Sequence, residues 1–290
     1  MEYVTLNNGV KMPMVGLGTH TLPHDGIKNI IKNAYEVGYR KFDTAWLYEN
    51  EEVIGASIHD LGISRNDVFI TTKLHNKDLY PLGYRKNIPM PHKSVKRAFF
   101  QACKRLKTDY IDLYLVHWPF PNYEYLWEEV VKLYEKGFVR AIGVSSFLEP
   151  HISRLSEISG VIPALNQYEI NPFNTRRPLT SFCSERGIQV EAFATFGTTF
   201  RHDEASKDLL QEPALVDIAE KYNKTTSQVI LRWAIQQGTT VVPRSKSKTH
   251  LLENLELFDF ALDAEEMNII YALNRDVFSR GNPYSTLRTK

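Results

Sequence analysis

The sequence predicts an α/β chain folded as a (β/α)8 TIM barrel, with an N-terminal β-hairpin and two extra helices, over 1–290 as one domain. Strand-like and helix-like segments alternate to the end of the chain, which indicates βαβ units and a parallel sheet. The alternation runs to eight units, which fits a closed barrel better than an open sheet. Asp43, Lys73 and His117 end three different strand-like runs, 39–43, 68–73 and 110–117. A barrel surrounds its active site with such C-terminal strand tips.

Residues 3–6 and 10–13 flank Asn7-Asn8-Gly9, a hairpin signal for a ribbon that could plug the barrel floor. Candidate strands follow at 14–18, 40–43, 68–72, 110–116, 139–144, 162–166, 188–193 and 239–242. Amphipathic helix patterns lie near 25–37, 49–60, 92–106, 122–136, 149–158, 175–186, 226–237 and 248–256. The extra helices cover 213–222 and 264–273. Asp263 with Glu266, and Thr225 with Gln228, have the spacing of capping boxes. The tail from Asp276 to Lys290 has Gly and Pro without periodicity and reads as loop. Residues 74–91 form a connection that is long for a compact domain. It follows Lys73 directly, so a lid and a surface decoration are both open readings.

Hydrophobic residues make up 43% of the 290, enough for a large core. The 35 basic and 34 acidic side chains leave +1, so no global field favours nucleic acid or a membrane surface. No apolar run approaches the ~20 residues of a membrane-spanning helix, and Met1–Val10 lacks the apolar stretch of a secretory signal. Cys103 and Cys183 both fall in helical patterns and read as reduced, buried thiols of a cytoplasmic protein. No Cys/His cluster has zinc-ligand spacing, so no metal is expected.

Each tip residue has an ordinary reading by itself. Asp43 could cap a turn, His117 could be a bonded core histidine, Lys73 a solvated edge, and Tyr48 packing. At converging positions they make a proton-transfer site. A free phenol titrates near ~10, and an adjacent ammonium lowers that by favouring phenolate. A carboxylate keeps the ammonium charged, and an imidazole can position a carbonyl oxygen. Such a set suits carbonyl reduction, with the hydride supplied by a nicotinamide cofactor. Gly16-Leu17-Gly18-Thr19-His20-Thr21 breaks the Gly-x-Gly-x-x-Gly pattern, and no Walker A motif occurs. The best anion site is Arg244-Ser245-Lys246-Ser247-Lys248, just before a helix, where a solvated basic loop is the plainer reading. A barrel hydrolase would need a carboxylate pair or a metal; Glu191 lies in the seventh-strand region, with no evident second carboxylate besides Asp43.

The chain resembles the aldo-keto reductase family from its hairpin to about residue 275. The resemblance rests on Phe42-Asp43-Thr44-Ala45 with Tyr48 and Asn50-Glu51, Thr71-Thr72-Lys73, Asp109 to Leu113 with His117-Trp118-Pro119, Gly143-Val144-Ser145, Asn166 to Glu169, Pro243-Arg244-Ser245 and Glu253-Asn254. It implies a barrel that binds extended NADPH, with NADH a possible second cofactor and a small carbonyl compound as substrate. Tyr48 would be the general acid, Lys73 would lower its pKa, Asp43 would pair with Lys73, and His117 would orient the carbonyl. Thr19 and Asp43 would border the cofactor, Ser145 and Gln167 would hold the carboxamide, and Phe193 would stack on the nicotinamide. Arg244, Ser245 and Lys246 would hold the 2′-phosphate, with Glu253 and Asn254 on the adenine. A monomer is expected, with a dimer open.

Departures accompany the match. Ser146 replaces a usual asparagine, His250 an arginine, and Ala194-Thr195-Phe196-Gly197 a usual Ser-Pro-Leu-Gly. His20 stands for a frequent tryptophan and Trp46 for a small residue. The substrate pocket is therefore expected to be remodelled, with His20, Trp46, His117, Trp118 and Tyr84 as candidates. The alternative function is a cofactor-binding structural or regulatory protein with little turnover.

Overall fold

The computed structural model describes residues 2–79, 92–197, 209–278 and 282–286. Strands β1 (Tyr3–Thr5) and β2 (Lys11–Pro13) pair antiparallel. The turn between them is tied to the barrel floor: Asn7 Nδ2 donates to Pro163 O at 3.1 Å and Asn8 Nδ2 to Arg140 O at 2.9 Å. Leu6 and Met12 of this hairpin cluster with Phe69, Leu113, Leu115, Ala141 and Leu165. The expected plug is present.

Eight parallel strands follow in sequential neighbour order: β3 (Leu17–Gly18), β4 (Lys41–Asp43), β5 (Phe69–Leu74), β6 (Ile111–Val116), β7 (Val139–Ser145), β8 (Leu165–Glu169), β9 (Gln189–Phe193) and β10 (Thr240–Val241). A parallel bridge between Val15 and Val241 joins the first strand region to the last, with Gly16 N donating to Val241 O at 2.9 Å. The ring therefore closes.

Helices α1 (Ile27–Val37), α2 (Glu51–Asp60), α3 (Asn76–Leu79), α4 (His92–Arg105), α5 (Tyr123–Glu135), α6 (Glu149–Ser159), α7 (Arg177–Ser184), α8 (Pro213–Tyr222), α9 (Thr226–Gln236), α10 (Lys248–Glu253) and α11 (Ala264–Ala272) surround the strands. The main core lies between the two layers and includes Ile31, Phe42, Phe99, Trp127, Leu155, Leu179 and Trp233. Each such side chain contributes roughly 1.5–3 kcal/mol by leaving water. Both expected capping boxes are present, at Thr225/Gln228 and Asp263/Glu266. Cys103 and Cys183 are buried free thiols, each pushed up to about 12 by burial. No helix among the described residues is long and apolar enough to cross a membrane.

Several boundaries differ from the pattern. The sixth barrel strand is Leu165–Glu169 rather than 162–166. Pro163 has no backbone N–H for a ladder, whereas the buried Asn166 and Gln167 bond to groups distant in the chain, Phe147 O and the Asp43 and Glu191 carboxylates. Lys73 lies inside β5, which runs on to Leu74, rather than just past its end. The helix expected at 248–256 stops at Glu253. The 74–91 connection begins with strand residue Leu74 and the short α3; 80–91, including Tyr84, lie outside the described residues.

Candidate active site

Asp43 ends β4 and Lys73 lies near the end of the adjacent β5, so both reach the same rim of the barrel. Lys73 Nζ donates to Asp43 Oδ1 at 2.7 Å and Oδ2 at 2.9 Å, and to Thr44 O at 2.9 Å. It also lies 3.4 Å from the Tyr48 hydroxyl. A short 3-10 turn, Trp46–Tyr48, carries that tyrosine back over the rim. Burial alone would pull the Lys73 ammonium down, but Asp43 and the Tyr48 hydroxyl outweigh it and hold its pKa above the ordinary range. Burial pushes the Asp43 carboxyl up, Lys73 pulls it back, and Glu191 pushes it up again.

Tyr48 sits among imidazoles. The His117 ring meets it edge-on with centroids 5.8 Å apart, and His20 does so at 4.5 Å. His75 lies 5.4 Å from His117 and stacks near Trp46 at 6.1 Å. The sequence reading did not single out His75; its place just after β5, two residues beyond Lys73, is the signal that could have found it.

A cleft of about 360 Å³ opens over this rim. Its lining includes Asp43, Tyr48, His117 and Trp118 at the tips, then Ser145, Ser146, Gln167 and Phe193, then Ala194–Gly197 and Arg244. His20, Leu47 and Gly18 complete one wall. Lys73 is buried behind Tyr48. Thr19 is buried as well, and its hydroxyl donates to Asp43 O at 2.8 Å. Trp46 is half-buried against His75 and does not line this cleft.

Beyond Arg244 the chain turns into α10. Ser245 Oγ donates to Ser247 O at 3.2 Å, and Ser247 caps the helix by accepting from His250 N. Lys246 and His250 are exposed, Glu253 is half-buried and Asn254 is buried; none lines the cleft itself. Lys248 of the same basic run pairs with Glu36 at 2.7 Å. Arg244 contacts Thr21 Oγ1 and lies 3.4 Å from His20 O. Arg244 thus adds a cationic side chain to the lining of the cleft.

The donor set suits an extended dinucleotide. A flat aromatic face at Phe193 and polar groups at Ser145, Ser146 and Gln167 match an aromatic carboxamide, and Arg244 with the neighbouring Lys246 matches a phosphate.

The interior below the rim holds a second carboxylate. Glu191 of β9 pairs with Lys41 of β4, and both side chains are fully buried. Gln167 Nε2 donates to Asp43 Oδ2 at 2.8 Å and to Glu191 Oε1 at 2.9 Å. This corrects the expectation that no second carboxylate accompanies Asp43. It does not revive a hydrolase, because Glu191 is neutralised by Lys41 and stays out of the cleft.

The model of the aldo/keto reductase family matches residues 14–275. The chain is 39% identical over 288 residues to glyoxal reductase of Bacillus subtilis, covering 97% of this chain and 96% of that protein. It is 34% identical over 275 residues to methylglyoxal reductase DkgA of Escherichia coli K12, covering 94% and 93%. A crystal structure of a Bombyx mori aldo-keto reductase in complex with NADP superposes with a TM-score of 0.84 at 32% identity, covering 97% and 95%.

Proposed function

This chain belongs to the aldo/keto reductase family of NAD(P)H-dependent oxidoreductases acting on carbonyl groups, and from that premise we propose that it reduces a small aldehyde or ketone with NADPH, Tyr48 donating the proton. The observation that carries this reading is the contact of Lys73 Nζ with both the Asp43 carboxylate and the Tyr48 hydroxyl. An ammonium beside a phenol favours the phenolate and so eases proton release. Asp43 keeps that ammonium charged although both side chains are buried. His117, edge-on to Tyr48, directs the carbonyl oxygen toward the phenol. When bound, the nicotinamide supplies the hydride. Phe193 would hold the ring face, Ser145, Ser146 and Gln167 would hold the carboxamide, and Arg244 with the neighbouring Ser245 and Lys246 would favour the 2′-phosphate.

The substrate follows from the cleft and from the relatives. His20, His117 and Trp118 line a largely apolar and aromatic cleft together with Leu47, Phe193 and Phe196. Relatives at 39% and 34% identity are a glyoxal and a methylglyoxal reductase, so those two dicarbonyls are the first substrates to offer. The test is a fluorescence titration with NADPH and NADH, followed by turnover of a carbonyl panel at the nicotinamide absorbance. Tight NADPH binding with turnover is expected. Binding without turnover across the panel would favour a structural or regulatory role, and binding of neither cofactor would overturn the reading.

A further inference from the structure

Five side chains form one continuous network inside the barrel: Lys73, Asp43, Gln167, Glu191 and Lys41. All five are buried, and the two ammonium groups balance the two carboxylates. The backbone register builds it. Asp43 and Lys41 are two residues apart on β4, so both face inward. Gln167 and Glu191 are cross-strand neighbours, and Thr240 is the next neighbour along the same row. Gly16 makes room for the Lys41 stem; a Cβ there would come within 2.9 Å of its methylenes.

The chemistry of Gln167 is decided by its neighbours. Its amide nitrogen lies between two carboxylate oxygens, so both N–H groups are committed. Reversing the amide would set its oxygen against two carboxylates. The carbonyl oxygen therefore remains as the group Gln167 offers to the cleft, an acceptor suited to an amide NH2.

We infer that Glu191 and Lys41 are positioning residues, which lock the Gln167 amide with its oxygen available to the carboxamide of the cofactor. Asp43 alone would hold only one of the two N–H groups. Glu191 holds the other, and is itself paired with Lys41 and accepts from Thr240 Oγ1 at 3.0 Å. A buried carboxylate without such partners is costly. This inference rests on the reading of the cleft as a nicotinamide site.

The test compares two double variants for NADPH affinity by fluorescence titration, with thermal midpoints measured alongside. Glu191→Gln/Lys41→Met removes both charges but keeps an acceptor for Gln167, and should bind NADPH within about twofold of wild type. Glu191→Met/Lys41→Met deletes the acceptor and should bind about tenfold more weakly, with kcat at saturating cofactor falling less. Equal affinity of both variants, whether retained or lost, overturns the inference, because the acceptor would then be irrelevant. Should the second variant fail to fold, Glu191→Asp keeps the Lys41 pair and draws the acceptor back by one carbon. Several-fold weaker binding is expected there, and unchanged binding overturns the inference. A wild type that binds neither dinucleotide overturns the functional reading itself, whereas binding that is indifferent to these variants overturns only the role of Glu191 and Lys41.

Discussion

At the scale of single residues, the contact between Lys73 and the Tyr48 hydroxyl makes a sharp demand. Tyr48→Phe removes the proton but leaves the ring, the ion pair behind it and the cofactor cleft intact. It should lower kcat by about 10²–10⁴ while the NADPH dissociation constant holds. Near wild-type turnover would remove Tyr48 from the acid role. Arg244 lines the cleft, and on the proposed reading its charge would separate the two dinucleotides. Arg244→Ala should weaken NADPH far more than NADH in the same titration; equal loss would mean that the guanidinium does not meet the 2′-phosphate. Ser146 sits at φ 62°, a left-handed conformation that asparagine tolerates better than serine. Ser146→Asn should therefore raise stability by about 0.5 kcal/mol in urea unfolding and tighten cofactor binding by restoring an amide. These residues were legible before folding because each lies at a strand tip or in a short motif. His75, Lys41 and Glu191 were not singled out as site residues, since a histidine past a strand, a lysine within one and a glutamate in another carry no local mark of one another.

At the scale of elements, the caps do what their spacing promised, and one does more. Glu266 completes the cap of α11 by accepting from Asp263 N at 2.8 Å. It also accepts from Lys221 at 2.6 Å and Tyr222 at 2.7 Å, which ties α11 to the end of α8. Burial pushes its carboxyl up, but Lys221, Tyr222 and the Asp263 backbone outweigh that and leave its pKa lowered. A carboxylate whose folded pKa is depressed contributes stability above its unfolded value of about 4.3, and loses it as pH falls through the folded value. Glu266→Gln should therefore be less stable than wild type at pH 7, with the gap narrowing below about pH 4. A gap independent of pH, measured by urea unfolding at the two extremes, would remove the charge from the account. Elements such as α8 and α9 were readable because caps and apolar periodicity are local. The strand Leu165–Glu169 was misplaced by three residues because four of its five side chains, Asn166 to Glu169, are polar or amphipathic yet buried.

At the scale of the whole molecule, barrel closure is the step on which the cleft depends. The seam between β3 and the Val242–Pro243 segment is narrow: Gly18 N donates to Pro243 O at 3.1 Å. A Cβ on Gly18 would stand 2.5 Å from Val242 O, a backbone atom that cannot move aside alone. Gly18→Ala should destabilise the protein by about 1–3 kcal/mol and lower the melting temperature by several degrees. Because Gly18, Val242 and Pro243 also line the cleft, the same change should weaken NADPH binding. A variant as stable as wild type would mean that the seam yields more easily than its spacing implies.

The chain alone determined the number of βα units, the hairpin plug, both capping boxes and the places of Asp43, Lys73 and His117 toward strand ends with Tyr48 a short loop beyond. Those features depend on spacing along the backbone, on helical and strand periods and on short-range hydrogen bonds. Only the closed barrel decided which charges meet. Lys41 and Glu191 lie 150 residues apart, and Asp43 and Gln167 124. Periodicity can direct each side chain inward, but the shear and closure of eight strands select its neighbour across the interior.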